Sequence, residues 1–224
     1  MSRKRRGKPA YQAEESIQQF IPKLVTPKTK NQDKLLKSIE RNLITFAIGP
    51  AGCGKSYLSI GAAIQDVYNN NVEQIILTRP VVEVGNSLGF LPGGPTDKLE
   101  PYMAPLFDAV NQFWPKDKVH ELNIRVIPLN FMRGITFRNA FVILDEASNC
   151  TEEELKMFLT RFGEGSKVVI TGDPTQSDLP TRCQGALLKY VEKLKNVDLI
   201  EVVELDHSDI IRHHIVGKIL TALE

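Results

Sequence analysis

From Asn31 onward the chain alternates short apolar runs with stretches of helical spacing. The runs cover residues 43–48, 74–79, 123–129, 140–145, 167–172 and 198–204, and the helical patterns cover 32–41, 55–68, 98–113, 152–161, 184–194 and 209–223. The runs are nearly continuous in apolar residues rather than alternating, which is the pattern of strands buried on both faces. The expectation is an α/β fold with a mainly parallel sheet of five or six strands flanked by helices. Residues 1–30 break the pattern. They are polar, punctuated by Pro9, Pro22 and Pro27, and lack periodicity, so they read as a flexible N-terminal extension on one domain spanning 31–224. Residues 84–95 hold four glycines and two prolines and read as a long loop of the kind that carries function. No internal repeat or low-complexity segment stands out.

Composition narrows the class. At 224 residues the chain can bury a large core, and 42% hydrophobic with 25% charged residues is ordinary for a globular protein. No apolar, uncharged run approaches the ~18 residues of a membrane span, so no membrane partner is expected. The basic stretch 1–8 has no apolar segment after it and does not read as a secretory signal. Cys53, Cys150 and Cys183 form no CxxC pair, which argues against a disulfide framework or a zinc site and fits a reducing cytoplasm. The net charge of +1 hides an asymmetry: residues 1–30 hold eight Lys or Arg against two Glu. Such a tail attracts polynucleotide phosphates or simply solubilises the chain, and composition leaves both readings open.

Three strand ends carry candidate chemistry. Gly49-Pro50-Ala51-Gly52-Cys53-Gly54-Lys55-Ser56 matches the P-loop pattern G-x-x-x-x-G-K-[ST] in full, after an apolar strand and before a helix. The glycines let successive N–H groups point at phosphate oxygens, and the helix N-terminus adds its positive end. Lys55 reaches the outer phosphates and Ser56 offers a hydroxyl to Mg²⁺; Cys53 reads as a small filler. The run Phe141–Leu144 ends in Asp145 and Glu146. Asp145 is the expected Mg²⁺ ligand, and Glu146 is placed to activate a water against the γ-phosphate. The run ending in Thr171-Gly172-Asp173-Pro174-Thr175-Gln176 is expected to lie between the other two strands, with Gln176 beside the γ-phosphate. Strand ends of such a sheet meet at one crevice.

Taken together these residues resemble the PhoH family of P-loop ATPases. Further matching stretches are Thr29–Gln32, Leu77-Thr78-Arg79-Pro80-Val81-Val82-Glu83, Leu88-Gly89-Phe90-Leu91-Pro92-Gly93, Phe131-Met132-Arg133-Gly134, Met157-Phe158-Leu159-Thr160-Arg161 and Asp209–His213. The resemblance covers residues 25–222 or so. It implies a single RecA-like domain similar to the core of superfamily 1 helicases, ATP hydrolysis with Mg²⁺, RNA or single-stranded DNA as partner, and a homo-oligomer with a hexameric ring as one form. It implies that Gln32 reads adenine, that Tyr57 adjoins the nucleotide after Ser56, and that Arg79 and Arg133 contact nucleic acid. No second RecA-like domain is visible to donate an arginine to the γ-phosphate, so Arg161, Arg212 and Arg133 are candidates for that role, in the same chain or from a neighbour. Ser148 stands where many relatives carry glutamine, and Pro174 where an apolar residue is usual. Two rival readings remain: an ATP-gated oligomeric adaptor without helicase activity, and a small-molecule kinase.

Overall fold

The computed structural model describes residues 21–81 and 100–211. Six strands form one sheet: β1 (Ile44–Ile48), β2 (Gln74–Thr78), β3 (Ile124–Val126), β4 (Ala140–Leu144), β5 (Lys167–Gly172) and β6 (Ile200–Glu204). Their order is β3-β2-β4-β5-β1-β6, and every neighbouring pair is parallel. The helices are α1 (Lys30–Arg41), α2 (Lys55–Tyr68), α3 (Glu100–Phe113), α4 (Glu152–Leu159) and α5 (Ala186–Leu194). As expected, β5 lies between the strand that feeds the P-loop and the strand that ends in the acidic pair. This is a single RecA-like P-loop NTPase domain.

The apolar runs explain the two-sided burial. Along β4, Phe141 and Ile143 join a core with Leu35 of α1, Leu58 and Ile64 of α2 and Val110 of α3. Val142 and Leu144 point the other way, into a core with Leu155 and Phe158 of α4 and Leu187 of α5. All five β4 residues are fully buried, because successive side chains alternate faces and both faces are covered.

Helix ends follow local chemistry. Thr29 caps α1 by accepting from the Gln32 N–H, and Thr151 forms a reciprocal capping box with Glu154 at the start of α4. Helix α4 stops at Leu159, short of the expected 161. The Thr160 hydroxyl donates to the Lys156 and Met157 carbonyls, and Arg161 lies beyond the helix. Strand β3 is shorter than expected because it sits at the sheet edge and pairs with β2 alone. The expected helix over 209–223 does not begin at Asp209: His207–Asp209 form a 3-10 turn and Ile210 is extended. Residues 212–223 and the loop over 84–95 fall outside the described residues. Contacts with the body start upstream of residue 31. Pro22 is buried, the Lys23 N–H donates to the Phe113 carbonyl at 3.4 Å, and Val25 packs on the first core.

The sheet places the site. Registers Ile48↔Gly172 and Thr78↔Leu144 align the C-terminal ends of the central strands. Gly49, Arg79, Asp145 and Asp173, each one residue past its strand, therefore emerge on the same edge.

The central strand carries the test of this packing. Phe141→Ala is expected to cost ~3–5 kcal/mol in urea unfolding, the range for a fully buried phenyl ring. Leu188→Ala, at a residue 45% exposed, should stay within ~0.5 kcal/mol of wild type.

Candidate active site

The P-loop is built by backbone. Gly49 has φ +147°, and a Cβ there would sit 2.3 Å from the Leu205 carbonyl oxygen, so the loop's close passage beside the end of β6 requires glycine. Gly54, at φ +89°, ends the loop in the left-handed region and starts α2 without a side-chain cap. The first N–H groups of α2 are thus left for an anion. Lys55 folds back over the loop and donates to the Gly49 and Pro50 carbonyls at 2.6 and 2.8 Å. Cys53 is buried under the turn, with its thiol 2.9 Å from the Pro50 carbonyl. Burial pushes that thiol above its usual range, and the nearby Lys55 pulls it only part of the way back. It is a filler, as expected, and not an exposed thiolate.

The acidic pair faces the loop. Asp145 Oδ1 accepts the Ser56 hydroxyl and the Thr171 hydroxyl, each at 2.6 Å. Glu146 adopts φ +57°, ψ +41°, a left-handed conformation unusual for a residue with a side chain and characteristic of functional turns. Its carboxylate is 43% exposed, whereas that of Asp145 is 7% exposed. Arg79 joins both: its guanidinium lies 3.1 Å from Glu146 Oε1 and its Nε lies 3.7 Å from Asp145 Oδ2. The resemblance put Arg79 on a nucleic-acid backbone; here it turns inward to the carboxylates.

The third strand end closes the cleft. The Asp173 carboxylate accepts the Thr175 N–H and hydroxyl at Oδ1, while its buried Oδ2 has no partner among the described residues. The Gln176 N–H donates to the Asp173 carbonyl, which also accepts the Ser148 hydroxyl at 2.7 Å. A short serine at 148 therefore ties the acidic turn to the Asp173 turn. The cleft, about 250 Å³, is lined by Ala51, Gly52, Gly54, Lys55, Ser56, Tyr57, Asp145, Glu146, Thr171, Gly172, Asp173 and Gln176. All three motifs thus share one cavity. Tyr57 lines its rim with its ring 4.6 Å from that of Phe113. Adjoining hydroxyl and carboxylate oxygens on the phosphate-binding wall form the hard donor set that suits Mg²⁺.

Other expected residues lie apart from the cleft. Gln32 is buried beneath the loop: its Oε1 accepts the Lys28 N–H at 2.8 Å and its Nε2 donates to the Cys53 carbonyl at 3.0 Å. Its amide is spent on protein partners and acts as a strut of the P-loop, not as an open base-reading edge. Arg161 sits at the opposite end of the sheet, where its carbonyl accepts the Phe137 N–H ahead of β4. Its Nε donates to the Met157 carbonyl. Arg133 is exposed, in a turn outside the cleft lining. Arg212 lies outside the described residues.

Three contributors were missed in the sequence: Thr171, Asp173 and Asp209. The first two had a signal, polar residues closing an apolar strand. Asp209 had only its place in the family-like stretch Asp209–His213, which does not reveal its partners, because Thr29 and Asn31 are remote in sequence. Its carboxylate accepts the Thr29 hydroxyl, the Asn31 amide at 2.9 Å and the Asp206 N–H at 2.8 Å. The Gln32 amide lies 3.5 Å from the Asp209 carbonyl, and the Ile211 N–H donates to the Gly52 carbonyl. This knot joins the α1 cap, the P-loop and the segment after β6.

A family model described as PhoH-like protein matches residues 24–224. A PhoH-like protein of Mycobacterium tuberculosis is 46% identical over 204 residues, 89% of this chain and 58% of that protein. One from Bacillus subtilis is 45% identical over 206 residues, covering 90% and 65%. Protein PhoH of Escherichia coli K12 is 37% identical over 195 residues, covering 84% and 54%. The chain therefore spans between about half and two thirds of the length of these relatives. Among solved structures, the large terminase from a thermophilic bacteriophage superposes with a TM-score of 0.54 over 87% of this chain and 50% of that one, at 14% identity. That likeness is one of fold. Among the described residues no helix is long and apolar enough to cross a membrane.

The Asp209 knot is expected to respond to pH. Burial raises the Asp209 carboxyl, but hydrogen bonds from Thr29, Asn31 and the Asp206 backbone outweigh it and hold the group below the usual carboxylate range. A folded-state value lower than the unfolded one adds stability above the unfolded value and loses it as pH falls through the folded one. Wild type should therefore melt above Asp209→Asn at neutral pH, with the gap shrinking on acidification. A gap independent of pH, in thermal unfolding at several pH values, would contradict this.

Proposed function

The chain belongs to the PhoH family, and from that premise we propose that it is a Mg²⁺-dependent ATPase whose turnover is coupled to RNA or single-stranded DNA. The observation that carries the reading is the convergence of Lys55, Asp145, Glu146 and Gln176 on one cleft beside a helix N-terminus. The loop N–H groups and the start of α2 bind the phosphates. Lys55 exchanges the Gly49 and Pro50 carbonyls for phosphate oxygens, a stronger, charge-assisted pairing. Ser56 and Asp145 would hold Mg²⁺, which would supply positive charge to the outer phosphates. Glu146, half-exposed at the strained turn, orients the attacking water and takes its proton, a role worth roughly 10²–10⁴ in rate. The Gln176 amide meets the γ-phosphate and donates to it.

The polynucleotide partner is supported by the family and by the basic N-terminal tail. Assembly is supported by the placement of Arg161: at the far end of the sheet it cannot serve its own cleft, but a neighbouring copy could present it. A homo-oligomer, of which a hexameric ring is one form, follows as part of the proposal. An ATP-gated adaptor shares the same cleft and differs in lacking stimulated turnover.

Lys55→Ala and Glu146→Gln are expected to abolish phosphate release, with Glu146→Gln still binding ATP; hydrolysis at the wild-type rate by either variant would overturn the assignment. RNA or single-stranded DNA should accelerate wild-type phosphate release, and mass in solution should rise with ATP. Turnover indifferent to both polynucleotides would favour the adaptor.

A further inference from the structure

The site contains an arginine that the proposed reaction has not yet used. Arg79 follows β2 directly, and β2 pairs in register with β4, so that the Asp145 N–H donates to the Thr78 carbonyl at 2.9 Å. The Leu129 N–H donates to the Arg79 carbonyl on the other side at 3.3 Å. The backbone at Arg79 is thus held between two neighbours, and its guanidinium lies over the ends of the acidic turn. It does so well sheltered, at 21% exposure.

The two oxygens of Glu146 differ. Oε1 accepts Arg79 at 3.1 Å, while among the described residues Oε2 accepts no hydrogen bond. A base needs one oxygen held and one free. A half-exposed carboxylate with several rotatable bonds otherwise spreads over many rotamers and loses rate through poor alignment. The same guanidinium reaches Asp145 at Oδ2, the oxygen that the Ser56 and Thr171 hydroxyls leave open.

From this geometry we infer that Arg79 is a positioning residue for hydrolysis: it clamps Glu146 through Oε1 so that Oε2 faces the water. The inference rests on the ATPase reading above and names the residue that orients its base. Arg79 acts through Glu146 and is not itself the proton acceptor. A planar fork suits the task better than a lysine, because it fixes direction as well as charge.

The test compares steady-state ATP hydrolysis, ATP affinity by direct titration and thermal midpoint for Arg79→Gln and Arg79→Lys. Arg79→Gln should lose about 10²-fold in kcat, the scale of a misplaced catalytic group, with KM for ATP, affinity and thermal midpoint little changed. Arg79→Lys should fall between Gln and wild type. Unchanged or increased kcat in Arg79→Gln would overturn the inference, the latter by showing a restraint on Glu146. A loss of kcat that tracks lost affinity and a lower thermal midpoint would overturn it in favour of a structural role. A Lys variant no better than Gln would also overturn it. Glu146→Gln run in parallel separates the levels: if it is inactive while Arg79→Gln is intact, only the clamp is wrong, and if it is fully active the ATPase reading itself fails.

Discussion

One carboxylate oxygen organises this molecule. Asp145 Oδ1 accepts hydroxyls from Ser56, in the first turn of α2, and from Thr171, near the end of β5. Three elements remote in sequence meet at that atom, and the P-loop, the acidic turn and the Asp173 turn are fixed relative to one another by it. Two short hydrogen bonds to a sheltered charge are stronger than their neutral counterparts, and removing the charge would strand two hydroxyls in a nearly dry site. The sheet beneath makes the meeting possible, since only strands that run parallel and end level deliver all their C-terminal residues to one edge.

A second layer of polar contacts keeps the edge from loosening. Ser148 bonds the Asp173 carbonyl and Ser177 bonds the Ser148 carbonyl, so two loops after different strands are laced together. Gln32 and Asp209 do the same behind the P-loop, using side chains from α1 and from the far end of the described chain. These groups are not among those that line the cleft. Their effect is to restrict the loop backbone to the curl that points its N–H groups inward, with the ordering cost borne by folding rather than by ligand binding.

Much of this was legible in the sequence, for identifiable reasons. The apolar runs marked the strands because burial on both faces removes polar alternation, and the P-loop was legible because its chemistry lies in consecutive residues. The acidic pair and Gln176 were placed on the same edge because each closes an apolar run. What stayed hidden depends on contacts between distant segments. Nothing local told Gln32 to serve the Cys53 carbonyl, nor Arg79 to turn toward Glu146, since β2–β4 register decides the latter. Helix α4 was overextended because Thr160 satisfies the last carbonyls with its hydroxyl, a stop that hydrophobic spacing does not encode. The segment after Glu204 was read as starting a helix at Asp209, whereas that carboxylate is drawn into a tertiary knot.

The charges lining the cleft constrain what can enter it. Asp145, Glu146 and Asp173 contribute three carboxylates, opposed there by Lys55 and, across the acidic turn, by Arg79. One oxygen of Asp173 is buried without a partner among the described residues, an arrangement that costs free energy in the protein alone. A bare triphosphate would add its own negative charge to this surplus. On the proposed reading the species that fits is therefore the phosphate chain already joined to a divalent cation, because the cation answers the carboxylates while the N–H groups of the loop answer the phosphates. On the inferred reading the same surplus suits a guanidinium within reach of both carboxylates, 3.7 Å from Asp145 and 3.1 Å from Glu146, bound to one oxygen of Glu146 and leaving the other for the water.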